Sequence, residues 1–86
     1  MQIDVDGIQG MLDIYRSALD NKIPVAPVLQ GHFKQNRRLL LEGFRKMASA
    51  QNLVLGSLKA ENAAEAAQLE EAKRIVAEFR AWAETA

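Results

Sequence analysis

Between Phe33 and Leu58 large apolar residues recur every seven positions in two rows at once. Phe33, Leu40, Met47 and Val54 form the first, which Phe44 and Leu58 extend from the flanking position, and Leu41, Ala48 and Leu55 form the second. Seven residues are close to two turns of an α-helix, so each row keeps to one side of it, whereas strand side chains alternate faces with period two. The stretch is therefore expected to be one long helix beginning at Pro27 or Val28, where a proline is tolerated because the first helical amide has no partner anyway. An apolar surface this wide exceeds what a single neighbouring helix covers, which puts this helix at the centre of the fold. A further row, Asn36, Gly43, Ala50 and Ser57, is small at nearly every position and would let another helix pack at short distance, with coincidence as the competing explanation.

The flanking segments read as helices too. Asp6 and Gln9 have the spacing of a capping box, so a first helix should start near Gly7. Ile8, Met11, Leu12, Tyr15 and Leu19 then recur in steps of three and four, with Asp13, Arg16, Ser17 and Asp20 on the opposite side. Gly10 lies inside this helix, implying a close neighbouring backbone or a helix weak in isolation. Asn21 suits the left-handed conformation that ends a helix. Ile23 to Val28 cannot be helical through its middle, because Pro24 and Pro27 lack amide donors and force extended neighbours. The pair has PxxP spacing, but only Lys22 supports a ligand for an aromatic groove, so a buried apolar crossover is the simpler reading. Towards the C-terminus, Asn62 and Glu65 again have capping-box spacing, favouring a turn between Lys59 and Asn62, with an unbroken helix as the alternative. Leu69, Ala72, Val76, Phe79 and Ala83 then share one face, with Ile75 and Trp82 beside them, while Glu70 and Glu71 precede Arg74 on the wet side.

The fold class expected is all-α, a single domain over 1–86: a short first helix, a Pro-containing connector, a long middle helix and an Ala-rich C-terminal helix. Ten of the fourteen alanines lie from Ala60 onward, so the last helix allows close approach but buries little area per residue. Two stripes on the middle helix, one on each outer helix and an apolar connector together exceed what three helices can bury among themselves. A helical bundle formed as a homodimer follows as the expectation, with Leu41, Ala48, Leu55, Phe79 and Trp82 at the protein interface.

Charge excludes more than it assigns. Eleven basic side chains balance eleven acidic ones, which removes the signature of a dedicated nucleic-acid binder. Locally, residues 29–59 carry plus five, residues 1–28 minus two and residues 60–86 minus three. Neutralisation of the basic middle helix by its acidic neighbours is the first explanation. The alternative is a DNA- or RNA-binding regulator using Lys34, Arg37, Arg38, Arg45 and Lys46, although the long Pro-containing connector is unlike a helix-turn-helix.

Cysteine is absent, which excludes disulfides, thiolate catalysis and Cys-based zinc sites. His32 is the sole histidine and has no nucleophile at a recognisable spacing. Glu61 and Glu65 lack the following His of a di-iron bundle, and Gly7 and Gly10 carry no phosphate-loop pattern. No catalytic, metal or cofactor site is expected. No apolar run is long enough to span a bilayer, and the first residues lack a basic stretch leading into an apolar one, so no membrane partner or secretory signal is expected and the cytoplasm is the default location. The function read from the chain is a non-enzymatic interaction module, an adaptor, assembly factor or small chaperone that works as a homo-oligomer and binds another protein. An inhibitor that docks a helix into a target groove would share the same exposed face.

Overall fold

The computed structural model describes residues 3–86. Four α-helices follow in order, α1 (Val5–Leu19), α2 (Pro27–Gln35), α3 (Arg37–Ser57) and α4 (Ala63–Thr85), and the described residues form no strand. The fourth helix arises because the expected long middle helix is parted at Asn36 (φ −109°, ψ 17°). The Asn36 side-chain amide donates to the His32 carbonyl at 2.9 Å, the same carbonyl that accepts its backbone N–H. A short amide that bonds the local backbone competes with the regular helical ladder. The Leu40 N–H still donates to the Asn36 carbonyl at 3.0 Å, so α3 begins without a loop.

Helix ends are set by local chemistry. The cap of α1 is Asp4, whose carboxylate accepts the Gly7 N–H at 2.9 Å, two residues before the expected Asp6. Gln9, expected to reach back to Asp6, instead donates to Asp13 at 2.9 Å. Asn21 closes α1 in the left-handed region as its sequence position suggested (φ 57°). The Lys22 N–H donates to Ser17 O at 2.8 Å and the Asn21 N–H to Ala18 O at 3.3 Å, the paired bonds of a Schellman ending. Pro27 opens α2 at its first position. At Leu58 the backbone turns extended and the chain reverses, and α4 starts under the expected Asn62 and Glu65 pair. Asn62 accepts the Glu65 N–H at 2.9 Å while the Glu65 carboxylate accepts the N–H of Glu61 at 2.9 Å.

The core lies where α1 and α3 both lean on α4. Leu12 of α1, Ala48 and Leu55 of α3, and Leu69, Ala72, Ile75, Val76 and Phe79 of α4 are buried together, and Leu19, Leu41 and Ala83 continue this core at its other end. Leu55 shares the first cluster with Leu69 and Leu41 shares the second with Ala83, so α3 and α4 are antiparallel. Ala48 and Ala72 are fully enclosed, and with only a methyl group each they let the backbones of these helices come close. The face of α4 read from its sequence, Leu69 through Ala83, is the buried one.

On the middle helix the two rows exchange roles. Leu41, Ala48 and Leu55, expected at an interface between chains, form the buried stripe, and Phe33, Leu40 and Met47 of the first row are only half-buried while Val54 is exposed. Facing α4 is what decides, because the spacing of either row suits a core equally well. Gly43, Ala50 and Ser57 point to solvent, and a Cβ added at Gly43 or at Gly10 would meet nothing. Neither glycine marks a close helix approach within the chain.

Candidate interaction surfaces

α1 packs chiefly on α4 and meets α3 through stacked rings, Tyr15 over Phe44 with centroids 5.8 Å apart. Away from this contact the two helices stand apart and leave an apolar groove along the side opposite α4. Its lower part is a cavity of about 320 Å³ lined by Ile8, Met47, Ala50, Gln51, Val54, Leu55 and Val76. Its upper part, about 240 Å³, is bounded by Tyr15, Ala18, Leu19, Phe33, Leu40 and Phe44. Gln51 is the polar exception. Its carbonyl oxygen is buried and has no hydrogen-bond partner among the described residues.

Large apolar side chains are exposed on the groove wall at Val54 and beyond it. Leu53 is 77 % exposed, Leu39 67 % and Val54 61 % on α3, and Val28 reaches 79 % on α2. The connector from Ile23 to Ala26 is non-helical as expected, but it is largely exposed and not a buried crossover, and α2, which follows it, buries none of its residues. Ile23 and Val28, the ends of the segment expected to be buried, are both exposed. Singly exposed apolar residues are ordinary on a protein surface, and of these Val54 also lines the groove.

Of the expected interface residues, Leu41, Ala48, Leu55 and Phe79 lie inside the chain. Trp82 is half-buried and engaged by its own chain, with its ring 5.5 Å from that of Phe79 and 6.3 Å from that of Phe44. The Arg16 guanidinium covers it at 5.3 Å, a cation–π arrangement that shields the indole. The apolar surface left over therefore belongs to α2, the outward side of α3 and the edge of α1, and not to the row that sequence spacing marked as surplus.

The basic residues gather more closely than the sequence order requires. Lys34, Arg37, Arg38 and Arg45 surround one depression of about 450 Å³ beside the end of α4, together with Gln35, Leu41, Ala83 and Glu84. Two of them are committed to helix ends. Arg37 pairs with Asp20 at 3.2 Å and donates to Leu19 O at 3.3 Å, and Arg45 donates to Ala83 O at 3.1 Å. Cations placed on the last carbonyls of α1 and α4 are favoured by the partial negative charge there. Lys46 stands apart and pairs with Glu42 at 3.3 Å. The acids of α4 pair mostly within their own helix, Glu70 with Lys73 at 3.5 Å, Glu84 with Arg80 at 3.3 Å, and both Glu71 and Glu78 with Arg74. Among the described residues, charge matching between helices is thus carried by Arg37 with Asp20 and by helix ends, while most ion pairs lie along a single helix.

His32 is exposed and borders a mostly apolar hollow of about 360 Å³ with Phe33, Asn36, Leu39 and Leu40. Among the described residues no three His, Asp or Glu side chains converge as a metal ion would require. No described helix is long and apolar enough to cross a membrane. No protein-family model matches the chain, and neither the curated proteins nor the solved structures contain a match to it.

Proposed function

We propose that this chain is a helical protein–protein interaction module that works as a homo-oligomer in the cytoplasm, in the manner of an adaptor, assembly factor or small chaperone. The observation that supports this most is the apolar groove between α1 and α3, flanked by Leu39, Leu53 and Val54 left in solvent. Covering such a face removes apolar area from water at about 25 cal/mol per Å², which is the main driving force of association. Sedimentation equilibrium of the purified chain at micromolar concentration should give a mass above that of one chain. A strictly monomeric species over that range would count against the proposal.

A nucleic-acid reading has one observation in its favour, the gathering of Lys34, Arg37, Arg38 and Arg45 around a single depression. It requires retention on heparin that weakens steeply with salt, because each phosphate contact releases a counterion. Failure to bind heparin at low salt would dispose of it.

A further inference from the structure

Along α3, Leu39, Gly43, Met47, Ala50 and Val54 follow one another in steps of three and four, so they share one face. Met47, Ala50 and Val54 also line the groove beside α1, which makes the groove and the outward side of α3 one continuous surface. We infer that a second copy of the chain covers this surface, with α3 lying antiparallel on α3 about a two-fold axis near Gly43. The inference rests on the self-associating module proposed above and adds its face and its direction.

Area, charge and sterics support this occupant. α3 has 21 residues, about 32 Å at roughly 1.5 Å each, and a strip of that length one helix diameter wide, about 10 Å, presents on the order of 300 Å². Two copies of α3 alone would cover on the order of 600 Å², and exposed Val28 and Leu29 of α2 with the groove wall at Tyr15 add to it towards the roughly 1,000 Å² of a specific interface. Charge sets the direction. Lys34 and Arg38 line the depression beside the end of α4 and Arg37 is held by Asp20, so the charges that border this face are Glu42 and Lys46. Parallel copies would place Glu42 level with Glu42 and Lys46 level with Lys46, whereas antiparallel copies about Gly43 place Glu42 close to the level of Lys46. The same arrangement brings Glu42 of each copy towards Lys46 of the other. These two side chains pair within one exposed turn, so they can exchange partners while still solvated. At the centre, Gly43 has open space where a side chain would stand, so the two backbones can approach there.

The test uses the whole chain, with sedimentation equilibrium for mass and far-ultraviolet circular dichroism for helicity. The wild type should sediment as two chains, and Gly43→Glu should associate at least tenfold more weakly with unchanged helicity. Ala77→Glu, the same kind of change on the exposed side of α4, should leave the mass at two chains. Because the chain has no cysteine, single substitutions report geometry. Gly43→Cys should form a disulfide-linked dimer under mild oxidation. Val54→Cys should not, since antiparallel packing carries it about 16 Å from the axis along α3, far outside the roughly 7 Å Cα separation a disulfide tolerates. Cross-linking at both positions would overturn the antiparallel direction. A Gly43→Glu chain that keeps its two-chain mass would overturn the face and leave self-association standing, and a one-chain mass for the wild type would overturn both. Should Gly43→Glu lose helicity, the cysteine pair decides, and absence of a cross-link at Gly43→Cys overturns the axis.

Discussion

Asn62 and Glu65 hold the start of α4 between them, Asn62 accepting the Glu65 N–H that the helix leaves unpaired and Glu65 accepting the N–H of Glu61 just before the helix. Asn62→Ala should therefore destabilise the fold by about 1 kcal/mol, read as a lower urea midpoint with an unchanged slope. The Glu61 N–H donated to Glu65 holds its carboxyl below the ordinary value of 4.5. A lowered folded-state pKa stabilises above the unfolded value and is lost as pH falls through the folded one. Glu65→Gln should accordingly flatten the loss of stability below about pH 4.5, and an unchanged acid limb would show that this carboxylate does not act so. Gln51 is the reverse case, a buried acceptor left unbonded in an apolar wall. An unmade buried hydrogen bond costs roughly 1–3 kcal/mol, so Gln51→Met, which keeps the length and removes the amide, should raise the thermal midpoint. Capping of this kind was readable at Asn62 because its partner is three residues away. It was misplaced at α1, where Asp4 and Asp6 stand two residues apart and only the built turn shows which one caps.

Among the elements, α1 and the junction between α2 and α3 are where local preference is least satisfied. Gly10 sits in an exposed part of α1 with room for a side chain, so Gly10→Ala should stabilise by about 0.5–1 kcal/mol through reduced backbone entropy of the unfolded chain. A loss of stability would mean that a partner surface approaches there. Asn36→Ala removes the side-chain bond to His32 that competes with the helix, and should join α2 to α3 with a gain in ellipticity at 222 nm and slower amide exchange around Arg37 to Leu40. The sequence marked every other helix to within a few residues, because amphipathic periodicity and breakers are local signals. This break escaped because a seven-residue row runs straight through Asn36 and one polar residue does not disturb its period.

For the molecule as a whole, stability depends on how closely α3 and α4 meet. Ala48 and Ala72 are both fully buried, so Ala48→Leu should cost about 1–3 kcal/mol by overfilling that contact. Phe79, packed against Phe44 and Trp82, sits at the joint between the two parts of the core, and Phe79→Ala should cost about 3–5 kcal/mol. Either change with little effect in chemical denaturation would mean that the two helices are not held as described.

The all-helical class, the reversal before Asn62, the left-handed Asn21 and the buried face of α4 were determined by the sequence itself, since each follows from hydrogen-bond chemistry or periodicity within a few turns of chain. Which apolar row of α3 is core was decided only by the tertiary structure. Leu41, Ala48, Leu55 and Leu40, Met47, Val54 are interchangeable as patterns, and burial falls to the row that the antiparallel α4 touches. The same holds for the cationic cluster, because Lys34 to Arg45 reach one depression only once α3 runs past the end of α4. Contacts between distant segments depend on how amphipathic faces pair in space, and a one-dimensional period sets the existence of a face but not its neighbour.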